Sequence, residues 1–192
     1  MKRKIIYVAV LLCAVAVAIV GYTQSSKTSS TTNDSRTARA AQREQRHLER
    51  EQRRAERQAA YERYIDSIVL AQNFQFTPQT MQQEVAGNIR ILNNPDFGVQ
   101  VWGSEVDVFL PYIKGVTPPY YTVLLNYSLP TVVGYTTEQT REGWLVTFSS
   151  SLYSGSDYHF SLDIYAASGS GVLTISSPWY SDVQYNGSIS SI

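Results

Sequence analysis

The chain has 192 residues and a formal net charge of zero, and its length suits one ordinary domain with appended segments. Its charge is uneven: residues 1–66 carry 13 Lys/Arg and 7 Asp/Glu, whereas residues 67–192 carry 3 and 9. Nucleic-acid binding is therefore not expected, because phosphate contacts need clustered Lys and Arg. The single cysteine, Cys13, lies in an apolar N-terminal run. This excludes disulfides, thiolate catalysis and cysteine-ligated zinc from the folded part.

Residues 1–22 have the layout of a signal peptide or membrane anchor, because three cations precede an uncharged apolar run at residues 5–20. This run is short for a membrane span of about 20 residues, and no clean small-residue cleavage site follows it. The pattern is compatible with cleavage of the segment and with its retention as an anchor. A retained segment would contact the membrane through residues 5–20. Lipidation of Cys13 is not expected, because acylated cysteines follow a small residue and Leu12 precedes this one. In either case we expect export to the periplasm or cell envelope.

A polar stretch at residues 23–35 is typical of a flexible linker. Residues 36–71 are rich in Ala, Arg, Gln and Glu and lack Gly and Pro, which predicts a long charged helix. Its excess of arginine fits either adhesion to anionic lipids and polymers or a solvated spacer, and a coiled coil is disfavoured because the leucine seam is missing. Only residues 61–70 are apolar enough to dock on a core.

From residue 72 to residue 192, β-branched and aromatic residues alternate with small polar residues, which predicts strands. Gly103-Ser104 is a two-residue turn with glycine first, as a type II′ hairpin requires. That turn predicts that Val101 faces Val106 and that Val99 faces Val108, with all four on one buried face. In "YHFSLDIY", Phe160, Leu162 and Ile164 point inward by the same alternation.

These elements predict a mainly β fold: one antiparallel meander sheet that curls into a half-barrel or sandwich, preceded by the long helix. No stretch after residue 72 is long enough for the crossover helices that parallel strands need. The last segment, "DVQYNGSISSI", is predicted to form one closing strand with Gly187 as a kink or bulge. Residues 61–70 would cover one face or edge of the sheet.

The order of several short motifs resembles a known family. The motifs are "NFQF", "VDVFLPYIKG", "EGWLVTFS", "YHFSLDIY", "GSGVLTISS" and a final "YNGSI", after an export signal and a Gln/Arg/Glu-rich helix. Together they resemble the exported domain family of unknown function numbered 4251, found in Bacteroides-like bacteria, over about residues 55–192. The resemblance implies this fold and export. It implies no activity, cofactor or catalytic residue.

The sequence contains no recognisable catalytic motif and therefore indicates no catalytic residue, cofactor or metal ligand. His159 and Asp163 lie four apart on one strand, about 13 Å at roughly 3.3 Å per residue, and no nucleophile elbow accompanies them. Glu105 and Asp107 share a strand face with the spacing of a retaining glycosidase pair, but they flank a hairpin tip. A hydrolase that uses these groups is the alternative hypothesis.

The strongest hypothesis for a binding site rests on aromatic residues. Exposed rings near turns can form a rigid contact surface for a glycan or a peptide. The candidates are Trp102, Tyr112, Tyr120, Tyr121 and Trp179. The sequence therefore favours a non-enzymatic envelope binding module whose partner is an envelope protein, a glycan or a lipid. A structural spacer is the third hypothesis.

Overall fold

The computed structural model describes residues 31–83, 87–115, 119–130, 132–151 and 157–192. The predicted signal or anchor, with Cys13, lies outside the described residues. Within them, one helix, α1 (Thr31–Leu70), is followed by ten strands. These are β1 (Asn73–Gln83), β2 (Arg90–Ile91), β3 (Gly98–Trp102), β4 (Glu105–Lys114), β5 (Tyr121–Leu129), β6 (Val133–Gln139), β7 (Gly143–Ser151), β8 (Asp157–Tyr165), β9 (Ser170–Ser177) and β10 (Tyr180–Ser190).

Helix α1 begins earlier than the sequence predicted, because residues 31–35 of the expected linker are already helical. Extending an existing helix by a few residues costs little free energy, because nucleation has already occurred. The weak helix propensity of these residues therefore does not prevent the extension. At the other end Gln72 adopts a left-handed conformation with φ of 51°, and its N–H bonds to the carbonyl oxygen of Val69 at 3.1 Å. This closes the helix at Leu70. No helix among the described residues is long and apolar enough to cross a membrane.

The compact unit that carries the fold is Ala55–Ile192. It therefore contains the end of α1 as well as all the strands, whereas the sequence placed the start of the β domain at residue 72. Ile65 and Val69 of the helix are fully buried and Ile68 nearly so, and they belong to the same apolar cluster as the strand residues. The expectation that residues 61–70 cover the sheet is confirmed, and this cover makes the helix end part of the domain.

The strands form one antiparallel sheet curled into a half-barrel, in the order β5-β4-β3-β1-β10-β9-β8-β7-β6, with β2 paired to β1. The first and last strands are neighbours: Phe76 pairs with Ile189 and Gln82 with Gln184. The two edges of the sheet are consequently β5 and β6, which follow one another in the chain. The break in the barrel falls in the middle of the sequence rather than between its ends.

The hairpin register that was predicted from Gly103-Ser104 is confirmed. Trp102 pairs with Glu105 and Val99 with Val108, and Gly103 has the positive φ of 61° that a type II′ turn places at its first position. The alternation of β8 is confirmed too, because Phe160, Leu162 and Ile164 are buried. Inside the half-barrel, Phe148 and Phe160 stack with ring centroids 4.6 Å apart.

The closing strand β10 is continuous, as predicted, but the bulge near Gly187 lies in its partner β1. Pro78 pairs with Gly187 and Thr80 with Asn186, so Gln79 is the extra residue and belongs to β1. Leu92 of the segment after β2 donates its N–H to the carbonyl oxygen of Gln79 at 2.8 Å. The carbonyl group of the bulged residue therefore has a hydrogen-bond partner. A Cβ on Gly187 would collide with the carbonyl oxygen of Thr77 and the Cα of Pro78, so the position requires glycine.

We expect Gly187→Ala to lower the free energy of unfolding by about 1–3 kcal/mol, because two rigid backbones would have to separate. Urea denaturation measures this loss, with Ser188→Ala at the exposed neighbouring position as the control. The control should stay within about 0.5 kcal/mol of the parent. Equal stability of the two variants would contradict the close approach of β1 and β10.

Candidate binding surfaces at the two ends of the half-barrel

The half-barrel of the Ala55–Ile192 unit has two ends that differ in chemistry. The helix end is the end that α1 covers: Gly103 donates its N–H to the carbonyl oxygen of Gln72 at 2.7 Å there, and Tyr64 bonds Ser191. The turns at residues 140–143 and 166–169 lie at the same end. The open end is the opposite one, where β4 ends, β5 begins and β9 turns into β10.

Four of the five aromatic residues proposed from the sequence are exposed and one is not. Tyr112 is fully buried, so its assignment to a contact surface was wrong. It lies on the same side of β4 as Val108 and Leu110 and packs edge-on against Tyr158, with centroids 5.3 Å apart. Its hydroxyl donates to the carbonyl oxygen of Ser181 at 3.2 Å. This hydrogen bond lets a tyrosine occupy an apolar core.

The four exposed rings do not form one surface. Trp102 lies at the helix end, in the hairpin beside Gln72, and is 44% exposed. Tyr120, Tyr121 and Trp179 lie at the open end and are 46%, 64% and 62% exposed. The structure therefore separates Trp102 from the other three.

Lys114 connects the aromatic residues of the open end. It is the cross-strand partner of Tyr121, and its ammonium group lies 5.2 Å from the ring centroid of Tyr180, the residue next to Trp179. A cation over an aromatic face is attracted by the ring quadrupole. Tyr180 in turn contacts the buried Tyr112 at a centroid distance of 6.5 Å. Tyr180, the neighbour of the exposed Trp179, is thus held between Lys114 and the core.

Aliphatic residues that sequence reasoning missed extend this surface. Ile89 and Ile91 flank Arg90 and are 65% and 74% exposed, and Leu124 on β5 is 51% exposed. Arg90 donates to the hydroxyl of Thr122 at 3.3 Å, which places β2 beside the start of β5. We define the open-end patch by its large apolar side chains and two cations: Ile89, Ile91, Tyr120, Tyr121, Leu124 and Trp179, with Arg90 and Lys114.

Two fully buried tyrosines and one half-buried tyrosine belong to the core of the half-barrel. Tyr185 donates its hydroxyl to the carbonyl oxygen of Pro111 at 2.6 Å, and burial raises its pKa well above the ordinary value of 10. Burial, with smaller repulsive effects from Tyr158 and Asp182, also raises the pKa of Tyr112. Burial raises the pKa of Tyr127 to about 12, against a smaller opposing effect of its hydrogen bond with Ser150. All three side chains are held neutral inside the sheet.

The residues of the hydrolase hypothesis are dispersed. Glu105 and Asp107 pair with Trp102 and Gln100 on the outer face of the hairpin. His159 shares a hydrogen bond with Ser149, Nδ1 to Oγ at 3.1 Å, in a shallow depression of about 320 Å³. Its cross-strand partners are Ser149 and Ser176, so neither neighbouring position supplies the carboxylate of a triad. Among the described residues, no group of three or more His, Cys, Asp or Glu could hold a metal ion.

The helix end holds a larger cleft of about 740 Å³. It is lined by Glu62 and Asp66 of α1, by the β6–β7 turn at residues 139–143, and by the β8–β9 turn at residues 165–168 with Ser170. Trp144 donates its indole N–H to Asp66 at 2.7 Å, a contact between residues 78 positions apart. Sequence reasoning missed this cleft because three segments that are distant in the chain form it. The only local signal in the sequence is Thr140-Arg141-Glu142-Gly143, a run that is typical of a turn closed by glycine.

The protein belongs to a structural class of antiparallel half-barrels. The C-terminal part of a helix covers one end of the half-barrel. The model of the domain of unknown function DUF4251 matches residues 56–189, and the chain belongs to this family. The fold is similar to the crystal structure, at 1.95 Å resolution, of a DUF4251 family protein from Bacteroides eggerthii DSM 20697. The TM-score is 0.54 at 18% identity, over 70% of this chain and 91% of that one. No curated protein matches.

The buried tyrosines predict alkaline destabilisation. A raised pKa in the folded state means that the unfolded chain loses the proton first, so stability is full below about pH 10 and declines as pH rises toward the folded pKa values. Each such tyrosine contributes a slope of up to about 1.4 kcal/mol per pH unit. We expect the free energy of unfolding, measured by urea denaturation, to fall between about pH 10 and pH 12.

Tyr127→Phe is the variant that tests the cause of this decline, because it removes one titrating hydroxyl and keeps the ring. Its stability should decline less steeply over the same pH range, by about one proton's contribution. A parent protein whose stability stays constant from pH 9 to pH 12 would contradict burial of these hydroxyls.

Proposed function

We propose that the chain is an exported cell-envelope module that binds a partner protein through the open-end patch. The observation that carries this proposal is the composition of the patch, which combines large exposed aromatic and aliphatic side chains with two cations. Tyrosine, tryptophan and arginine are the residue types that dominate the energetics of protein interfaces. The charge of residues 1–4 and the apolar run after them support export.

A protein partner fits the patch better than a glycan or a lipid. Glycans are bound by aromatic stacking and by polar groups, and the exposed side chains of Ile89, Ile91 and Leu124 offer neither. Anionic lipid surfaces attract clusters of four or more Lys and Arg, whereas the patch contains Arg90 and Lys114. Arg90 already donates a hydrogen bond to Thr122, and Lys114 lies over the ring of Tyr180.

Trp179 is the expected anchor of the interface. It is 62% exposed at the tip of the β9–β10 turn, while the adjacent Tyr180 is held from below by Tyr112. A large ring on a rigid base loses little conformational entropy on binding. Removal of such an anchor typically costs about 2 kcal/mol or more, which is roughly a thirtyfold loss of affinity.

The test is photocrosslinking of the full chain in the cells that produce it, with a photoreactive residue in place of Trp179 or, as the matched control, Trp102. Trp102 is also an exposed tryptophan but lies at the helix end. We expect one protein to be crosslinked from position 179 and not from position 102, in the envelope fraction. That protein is then purified and its affinity for the parent and for Trp179→Ala is measured, with a roughly thirtyfold loss expected.

Three results would contradict the proposal: crosslinks to glycan or lipid alone, equal crosslinking from both positions, or unchanged affinity of the purified partner for Trp179→Ala. Recovery of the chain from the cytoplasmic fraction would contradict export. Trp102→Ala serves as the affinity control and should bind within about twofold of the parent, since it leaves the open end unchanged.

A further inference from the structure

We propose that the cleft at the helix end is a second binding site and that it takes a neutral saccharide. The cleft is about 740 Å³, within the range of roughly 300–1,000 Å³ that small-molecule sites occupy. It lies at the opposite end of the half-barrel from the open-end patch and shares no residue with it. The proposal is therefore independent of the protein interface proposed above.

Hydrogen bonds between the surrounding segments hold the walls of the cleft in place and leave the space inside it open. Gln58 donates its side-chain N–H to the carbonyl oxygen of Ala167 at 2.7 Å, which ties α1 to the β8–β9 turn. Ala166 donates its N–H to the carbonyl oxygen of Glu142 at 3.0 Å, which ties that turn to the β6–β7 turn. The indole of Trp144 holds Asp66. A site built this way loses little entropy when a ligand binds.

Gly143 makes the close meeting of these turns possible. A Cβ at this position would collide with the carbonyl oxygen of Ile164 and with the backbone nitrogen of Ala166. The Thr140 N–H bonds to the carbonyl oxygen of Gly143 at 2.9 Å, and the Thr140 hydroxyl accepts the Gly143 N–H at 3.1 Å. The reciprocal pair closes a rigid turn, and this turn presents Arg141 and Glu142 to the cleft.

The functional groups of the cleft suit hydroxyl groups. Carboxylates and hydroxyls accept hydrogen bonds, the guanidinium of Arg141 donates them, and a sugar hydroxyl does both. Tyr165 adds an aromatic side chain that is 37% exposed, so its ring can stack against the apolar face of a pyranose. An open cleft that combines one ring with several acceptors and a planar donor provides complementary contacts for a mono- or disaccharide.

The charge of the lining decides which saccharide fits. Three carboxylates against Arg141 disfavour an anionic sugar. A simple cation is not the best ligand either, because two of these carboxylates are already engaged: Asp66 accepts from Trp144, and Glu62 accepts from Gln58 at 3.1 Å. Acceptors that are held in place in this way bind a hydroxyl without the desolvation cost of an ion. Of an anionic sugar, a simple cation and a neutral sugar, the neutral sugar fits the lining best.

The test is titration of the full chain, followed by NMR chemical shifts and by thermal denaturation. The probes are glucose, galactose, mannose, N-acetylglucosamine and maltose, with glucuronate as the anionic probe and putrescine as the cationic one. We expect at least one neutral sugar to bind with millimolar or tighter affinity, to perturb residues 139–143 and 165–170, and to raise the thermal midpoint. Glucuronate should bind at least tenfold more weakly than its neutral counterpart, glucose, if glucose binds.

Variants locate the site. Tyr165→Ala and Glu142→Ala should each weaken binding at least tenfold, whereas Tyr165→Phe, which keeps the ring, should stay within about threefold. Trp179→Ala at the open end should bind the sugar like the parent protein. The proposal is overturned if no neutral sugar binds at 50 mM, if putrescine alone binds, or if Tyr165→Ala and Glu142→Ala bind as the parent does while their thermal midpoints match it.

Discussion

The fold depends on burying the inner face of one curled sheet, and the end of α1 supplies part of that burial. Ile65 and Val69 are fully buried in the same cluster as Phe76 and Phe160. Residues three and four apart on a helix lie side by side, so fixing Ile65 and Val69 inward also fixes Glu62 and Asp66 toward the neighbouring turns. The position of the helix-end cleft therefore follows from the hydrophobic packing of the helix.

The second constraint is the pairing of the first strand with the last. Because β1 pairs with β10, the free edges fall on β5 and β6, and all hairpin turns sort to one end or the other. The turns that meet α1 are polar and closely packed, whereas the opposite end carries the exposed side chains of Tyr121, Trp179 and the two isoleucines that flank Arg90. One sheet thus carries two chemically different surfaces, and we propose that they bind different partners: a saccharide at the helix end and a protein at the open end.

Much of the local structure follows from the sequence because its signals are short-range. The Gly103-Ser104 turn fixes its hairpin register, and alternation places Phe160 inward. The same alternation puts Tyr112 on the buried side of β4 with Leu110, but its position near a predicted turn suggested exposure. What the sequence could not reveal is long-range: the β1–β10 pairing and the Trp144–Asp66 contact join distant segments, and no local pattern specifies which segments meet.

The most direct test of this account is the stability of Ile65→Ala, measured by urea denaturation beside Leu48→Ala. Ile65 is fully buried, whereas Leu48 is 52% exposed on the same helix. If the helix end belongs to the core, Ile65→Ala should lose about 2–5 kcal/mol in a single cooperative transition, and Leu48→Ala should stay within about 0.5 kcal/mol of the parent. A loss below about 0.5 kcal/mol for Ile65→Ala, or a separate transition for the helix, would contradict the account.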